Sequence, residues 1–231
     1  MGILDETQEQ RDLELHQITG VSLEEIRSYE IAAPDYIRIY EGSEEPKSEE
    51  EYIALYEQYK YLNLTGYLRT LMYTSVYRRG EILPGILRAT QGCICLDFGS
   101  GVGTHAIALL ENGNTVDILD VFGPLIEFAI KRIDFRGLNS NMVFLGDEEL
   151  PQNWYDLIIC TDVLEHVYSP MKELDRMRRA LKKGGKLFLE VSQMIKFSSG
   201  HFPHSVHEWL REGPAYMAKY FEYQDGCWIK K

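Results

Sequence analysis

Residues 160–167 read CTDVLEHV: an apolar run closes on Asp162, and Glu165 and His166 follow within four residues. In a helix starting there, positions i, i+3 and i+4 share a face, so two carboxylates and an imidazole would converge on one point. Three kinds of chemistry fit that set: an acid–base site, a divalent metal site, or the charged first turn of a helix. A second stretch, SGHFPHSVHEW over residues 199–209, spaces His201, His204 and His207 three apart and adds imidazoles to the same inventory. The structural alternatives are a loop position before Ser205, a helix cap, for His204 and a helix-surface position for His207.

Such groups need a core to hold them. The 231 residues, 45% hydrophobic and 26% charged, suffice for one well-packed domain with an appendage. No apolar run approaches the roughly 18 residues of a membrane span. The opening MGILDETQEQRDLELHQ is polar and acidic, unlike a secretory signal or a basic transit peptide. Cys93, Cys95 and Cys160 lie in or beside apolar runs, with no paired C-x-x-C for zinc, as expected of reduced thiols in the cytoplasm. A net charge of −12 argues against a nucleic-acid partner. The basic group Arg176, Arg178, Arg179, Lys182 and Lys183 precedes a Gly-Gly turn, where positive charge suits a helix C-terminus without any ligand.

The chain changes character near residue 90. Before it, helices are predicted over 22–31 (capping box Ser22 and Glu25), 48–64 (Ser48 and Glu51) and 66–79, with a loop over 32–47. Tyr52, Tyr56 and Tyr59 form one helical stripe, which packs helices together or lines an aromatic pocket. After it, apolar runs at 93–98, 115–121, 142–146, 155–161 and 185–192 alternate with helical patterns at 103–112, 124–137, 163–182 and 205–220. That alternation predicts an α/β fold: a doubly wound, mostly parallel sheet built from βαβ crossovers. Asp225-Gly226, between two apolar pieces of 221–230, predicts a closing hairpin.

The first strand runs into LDFGSGVGTHAIALL, residues 96–110, where Gly99, Gly101 and Gly103 follow a strand and open a helix. Glycine lets a ligand approach the backbone closely, and the helix start offers free amides. The dinucleotide pattern G-x-G-x-x-G would need its third glycine at Thr104. Asp97 stands two residues before Gly99, and a carboxylate repels a pyrophosphate but not a ligand carrying an ammonium and a sulfonium. The local charge favours S-adenosylmethionine over NAD(P).

With these motifs in register over residues 93–192, the sequence resembles the class I S-adenosylmethionine-dependent methyltransferases, in motif style the ubiquinone/menaquinone type. The resemblance implies a seven-stranded Rossmann-like sheet with an antiparallel last strand. Residues 91–231 would form the cofactor domain, and residues 1–90 a helical cap, lid and substrate wall. It implies that Asp120, seventeen residues after Gly103, accepts the ribose hydroxyls, and that Asp147, with neighbouring Glu148, meets the adenine amino group. Asp97, Gly99, Gly101, Gly103, Val121 and Thr161 complete the expected cofactor set. Some ubiquinone-type O-methyltransferases bind a metal through acid-x-x-Glu-His, which here falls on Asp162, Glu165 and His166, with His201 and His204 as further donors. His166, Asp162 and His204 are the expected catalytic groups. The expected reaction is methyl transfer to a small molecule, at oxygen rather than carbon or nitrogen, leaving S-adenosylhomocysteine. Methyl transfer to carbon or nitrogen of a small molecule or a protein, a non-catalytic cofactor-binding module and an NAD(P)-dependent oxidoreductase stand as alternatives.

Overall fold

The computed structural model describes residues 2–31, 44–57, 64–77, 82–121, 123–193 and 201–231. Among these, five helices precede the sheet: α1 (Gln8–Thr19), α2 (Leu23–Ser28), α3 (Glu49–Glu57), α4 (Thr65–Tyr77) and α5 (Ile82–Ala89). Helices α2, α3 and α4 fall where the sequence pattern predicts them, while α1 and α5 lie outside the predicted helices. Helix α1 starts on a reciprocal box: the Thr7 hydroxyl accepts from the Gln10 amide (3.3 Å), and the Gln10 side chain accepts from the Thr7 amide (2.8 Å). Ser22 caps α2 as expected by accepting from the Glu25 amide (3.2 Å). Ser48 caps α3 likewise, accepting from the Glu51 amide (3.2 Å). Of the tyrosine stripe, Tyr52 is buried edge-on against Phe202, with centroids 5.2 Å apart, and Tyr59 lies outside the described residues.

The apolar runs form β1 (Ile94–Phe98), β2 (Thr115–Asp120), β3 (Val143–Leu145), β4 (Tyr155–Thr161) and β5 (Leu181–Glu190). They are joined by α6 (Thr104–Glu111), α7 (Pro124–Phe135) and α8 (Pro170–Ala180), while α9 (Pro203–Tyr220) leads to β6 (Phe221–Gln224) and β7 (Cys227–Lys230). The seven strands lie in the order β3-β2-β1-β4-β5-β7-β6. The first five are parallel, and β7 is antiparallel to both β5 and β6, as the hairpin signal required.

Two boundaries differ from expectation. The helix predicted over 163–182 splits into a 3-10 turn (Leu164–His166) and α8, because Pro170 restricts the residue before it and then seats in the first helical turn. Strand β5 begins at Leu181, before the Gly-Gly pair; its register against β4 shifts between Tyr155 and Leu157, so Lys182–Gly185 bulge outward.

Helices cover both faces of the sheet, the arrangement that buries parallel strands whose residues are apolar throughout. One core lies between the sheet and α5, α6 and α7, and another under α8 and α9. A third joins Leu15, Ile26, Tyr52 and Met72 of the N-terminal helices to Val102, Phe128 and Phe202. None of the described helices is long and apolar enough to cross a membrane.

Candidate active site

The carboxyl ends of β1, β2, β4 and β5 open into a cleft of about 1330 Å³. Its floor is the loop after β1. The Gly99 and Ser100 amides donate to the Leu119 carbonyl (2.8 and 2.9 Å), which folds the loop back onto β2. Gly99, Gly101 and Gly103 all have left-handed φ, at 74°, 51° and 71°. A Cβ on Gly99 would fall 2.2 Å from Val163 Cγ2, whereas one on Gly101 would meet only open space. Glycine at 99 therefore lets two loops touch, and glycine at 101 keeps a surface open to the cleft.

Asp120 ends β2 beside this loop. Its carboxylate accepts from the Gly101 amide (2.7 Å) and the Val121 amide (2.7 Å). Burial pushes its pKa up to about 6, against the pull of those two amides and with a further push from the charge of Asp97. Each carboxylate oxygen retains a second acceptor site, so ligand hydroxyls have somewhere to bind.

Asp97 points the other way. It is 1% exposed, accepts from the Ala106 amide (3.0 Å) and sits 3.7 Å from His105 Nδ1. It satisfies an orphan amide at the start of α6 and does not line the cleft. Asp147, Val121 and Thr161 do line it. The Glu148 carboxylate turns back to accept from the Leu145 amide (2.9 Å). Arg176, on α8, fixes this segment by donating to the Gly146 carbonyl (2.8 Å) and to the Glu148 carbonyl.

The stretch CTDVLEHV divides its polar groups. Asp162 is exposed toward the cleft with φ 54°, a conformation uncommon for a residue other than glycine and frequent at functional sites. The following turn is 3-10 and three residues long, so the shared helical face expected for Asp162, Glu165 and His166 does not form. Glu165 is fully buried; its Oε1 accepts from the Ser192 amide (2.7 Å) and its backbone carbonyl from the Phe202 amide (2.9 Å). That pair of bonds ties Ser192 and Phe202 to the turn that follows β4. His166 lines the cleft and meets His201 edge-on, with centroids 4.8 Å apart.

Among the described residues, Glu165, His166 and His201 are the one group whose donor atoms gather, within 4.8 Å of one another. Ligands about 2.1 Å from one ion lie at most about 4.2 Å apart. The trio is thus close to, and at its outer limit slightly wider than, a coordination sphere. His204 does not join it. Its ring bridges Glu45 Oε1 (3.0 Å) and the Tyr168 carbonyl (3.0 Å), outside the cleft lining, and His207 is exposed on α9.

A family model described as "Methyltransferase domain" matches residues 74–225, about two thirds of the 231 residues. The chain belongs to the class I S-adenosylmethionine-dependent methyltransferases. A ubiquinone biosynthesis O-methyltransferase of Coxiella burnetii is 34% identical to it over 103 residues, 44% of either chain. A tRNA U34 carboxymethyltransferase of Mannheimia succiniciproducens is 30% identical over 123 residues, 51% of this chain and 37% of that one. The chain thus spans less than half the length of these curated relatives. Among solved structures, a SAM-dependent methyltransferase from Aquifex aeolicus aligns over 65% of this chain and 86% of its own, with 23% identity and a TM-score of 0.45.

The cleft fits the family's cofactor: glycine at 101 leaves the backbone open to it, and the Asp120 carboxylate keeps acceptor sites free beside that loop. Sequence reasoning missed one buried group under that loop. Arg132, on α7, has no exposed surface and donates to the Val102 carbonyl (3.0 Å) and to Thr104 Oγ1 (2.9 Å). An arginine at an amphipathic helix position reads as a surface charge, and its acidic partner lies in α1, a helix that apolar periodicity does not reveal.

Proposed function

We propose that the chain transfers a methyl group from S-adenosylmethionine to a small, uncharged acceptor at oxygen, by in-line displacement. The observation that carries this reading is the cleft's charge around Asp120. Seven carboxylate side chains line it, Asp120, Asp147, Asp162 and Glu190 among them, and no lysine or arginine does among the described residues. A pyrophosphate or a polynucleotide would be repelled there, while a ligand with a sulfonium, an ammonium and a ribose diol would be held. Asp120 takes the ribose hydroxyls, Asp147 the adenine amino group, and the loop from Gly99 to Gly103 lies against the remainder.

The bound cofactor supplies a methyl on an already activated leaving group. The protein's task is alignment and exclusion of water, worth up to about 7–11 kcal/mol in well-oriented systems. Tyr52, Tyr67, Tyr168 and Trp209 give the cleft an aromatic wall suited to a flat, apolar acceptor. His166, on the cleft surface, takes the acceptor hydroxyl proton, a contribution typically of 10²–10⁴-fold. The approach of Glu165, His166 and His201 supports a second reading, in which the same histidine serves a divalent ion that polarises the acceptor oxygen.

Calorimetry with S-adenosylhomocysteine and, separately, NADH tests the cofactor assignment: binding of the first alone is expected, and binding of NADH alone would sink it. Formation of S-adenosylhomocysteine from a panel of phenols and catechols, with EDTA or with added magnesium or zinc, then separates the two routes. Activity untouched by EDTA leaves His166 as the base; activity lost to EDTA and restored by metal moves it to ligand.

A further inference from the structure

The N-terminal helices do more than border the acceptor side of the cleft. Glu14, on α1 and 5% exposed, accepts from Arg132 Nε (2.9 Å) and from Arg136 Nε (2.5 Å). Arg132 spends its Nη1 on the Val102 carbonyl and Thr104 Oγ1, the two residues flanking Gly103, and both line the cleft. A carboxylate 118 positions upstream is therefore one side chain away from the glycine loop. A second contact reaches the adjoining residue: His105 Nε2 meets the Ser75 carbonyl of α4 (3.2 Å) while its other face approaches Asp97. The two contacts belong to one body, because Arg69 of α4 holds the Asp12 carboxylate of α1 through Nε (2.6 Å) and Nη2 (2.8 Å).

We propose that Glu14 is a positioning residue for the cofactor: through Arg132 it sets the Val102 carbonyl and the Thr104 hydroxyl, so that α1 controls cofactor affinity. This rests on the assignment of the glycine loop to S-adenosylmethionine made above. The physical basis is that a buried guanidinium needs a charged partner, and its planar fork fixes direction as well as distance. Without Glu14, Arg132 has a reason to turn away from the loop toward solvent or another acid. The loop's left-handed glycines then lose the restraint that holds them in one of several accessible conformations.

The test is calorimetric titration of S-adenosylhomocysteine into the full chain carrying Glu14→Gln, Thr104→Val or Thr104→Ser. Glu9→Gln, on the exposed side of α1 where among the described residues it meets Arg27 at 3.5 Å, is the control. Glu14→Gln and Thr104→Val are each expected to weaken binding about three- to thirty-fold, the scale on which remote residues modulate a coupled site. Thr104→Ser keeps the oxygen and stays within about twofold, and Thr104→Val adds no further loss to Glu14→Gln because both cut the same link. In steady state the KM for S-adenosylmethionine rises in both, with kcat changed by less than about twofold. A role confined to stability would lower the melting temperature and leave the Kd of folded protein alone. If Glu14→Gln does not fold, Thr104→Val carries the test, since it leaves the Glu14–Arg132 pair in place. Folded variants that bind like the unaltered chain overturn the proposal. An unaltered chain that does not bind at all instead overturns the cofactor assignment.

Discussion

Asp120 keeps a raised pKa although two backbone amides donate to it, so burial outweighs both bonds. Its folded value, about 6, lies above the ordinary 3.8, so the native state holds this proton more tightly than the unfolded chain. Ligand-free stability from this group is full below about pH 4 and is lost as pH rises through about 6. On the proposed assignment of Asp120 to the ribose, cofactor affinity runs the opposite way, because ribose hydroxyls would donate to the carboxylate. Titrating S-adenosylhomocysteine from pH 7 down to pH 5 should weaken binding about tenfold; a flat profile would remove Asp120 from the contact. The glycines make a sharper pair. Gly101→Ala costs about 1–2 kcal/mol for its left-handed φ and damages cofactor binding, since its Cβ enters the open cleft. Gly99→Ala adds a collision with Val163 worth roughly 1–3 kcal/mol more, measurable as a lower denaturation midpoint. These residues were legible in the sequence because a strand–glycine–helix turn is a local requirement. The facing of Asp97 and the burial of Arg132 were not, because each is decided by partners on other elements.

Helix α9 carries its own irregularity. Pro214 lies inside it and offers no amide to the preceding turn, and Gly213 beside it is buried against Trp209. A Cβ at 213 would come within 2.4 Å of Trp209 Cε3, and that ring lines the cleft. Gly213→Ala should therefore lower kcat/KM for the acceptor roughly tenfold or more while leaving S-adenosylhomocysteine affinity unchanged. Parallel loss of both would mean that the helix, rather than the ring, had moved. The strands were legible from their apolar runs, since a sheet buried on both faces leaves little choice of residue. Helix α1 was not: its buried positions include Arg11, which donates to the Ile3 carbonyl (3.2 Å), and Asp12 and Glu14, which are held through ion pairs instead of an apolar stripe. Helix α5 was hidden by Pro84-Gly85, which reads as a turn although Pro84 falls in the first helical turn, where proline is tolerated. The division of CTDVLEHV rests on the left-handed φ of Asp162 and on a following turn that is 3-10 and three residues long, so no α-helical face aligns its three polar groups.

The whole molecule carries a net charge of −12, and its cleft repeats that sign. One relative by sequence acts on tRNA U34 by its name, yet phosphate backbones are bound through basic surfaces. At physiological salt, filter binding with bulk tRNA should show no retention, and labelled methyl should not enter RNA; either signal would redirect the search for the acceptor. The strand order β5-β7-β6 bears on how the chain reaches this state. Strand β6 joins the sheet only through β7, so β7 must enter antiparallel beside β5 before either is secured. Lys230, donating to the Leu181 carbonyl (2.5 Å) and to Asn153 Oδ1 (3.2 Å), fastens the inserted strand to the start of β5 and the turn before β4. Until that insertion the β5 edge stands open, and open edges pair with other chains. A refolding chain therefore runs a race at the hairpin between closing on itself and joining a neighbour, and its yield should fall with protein concentration long before its activity per folded molecule does.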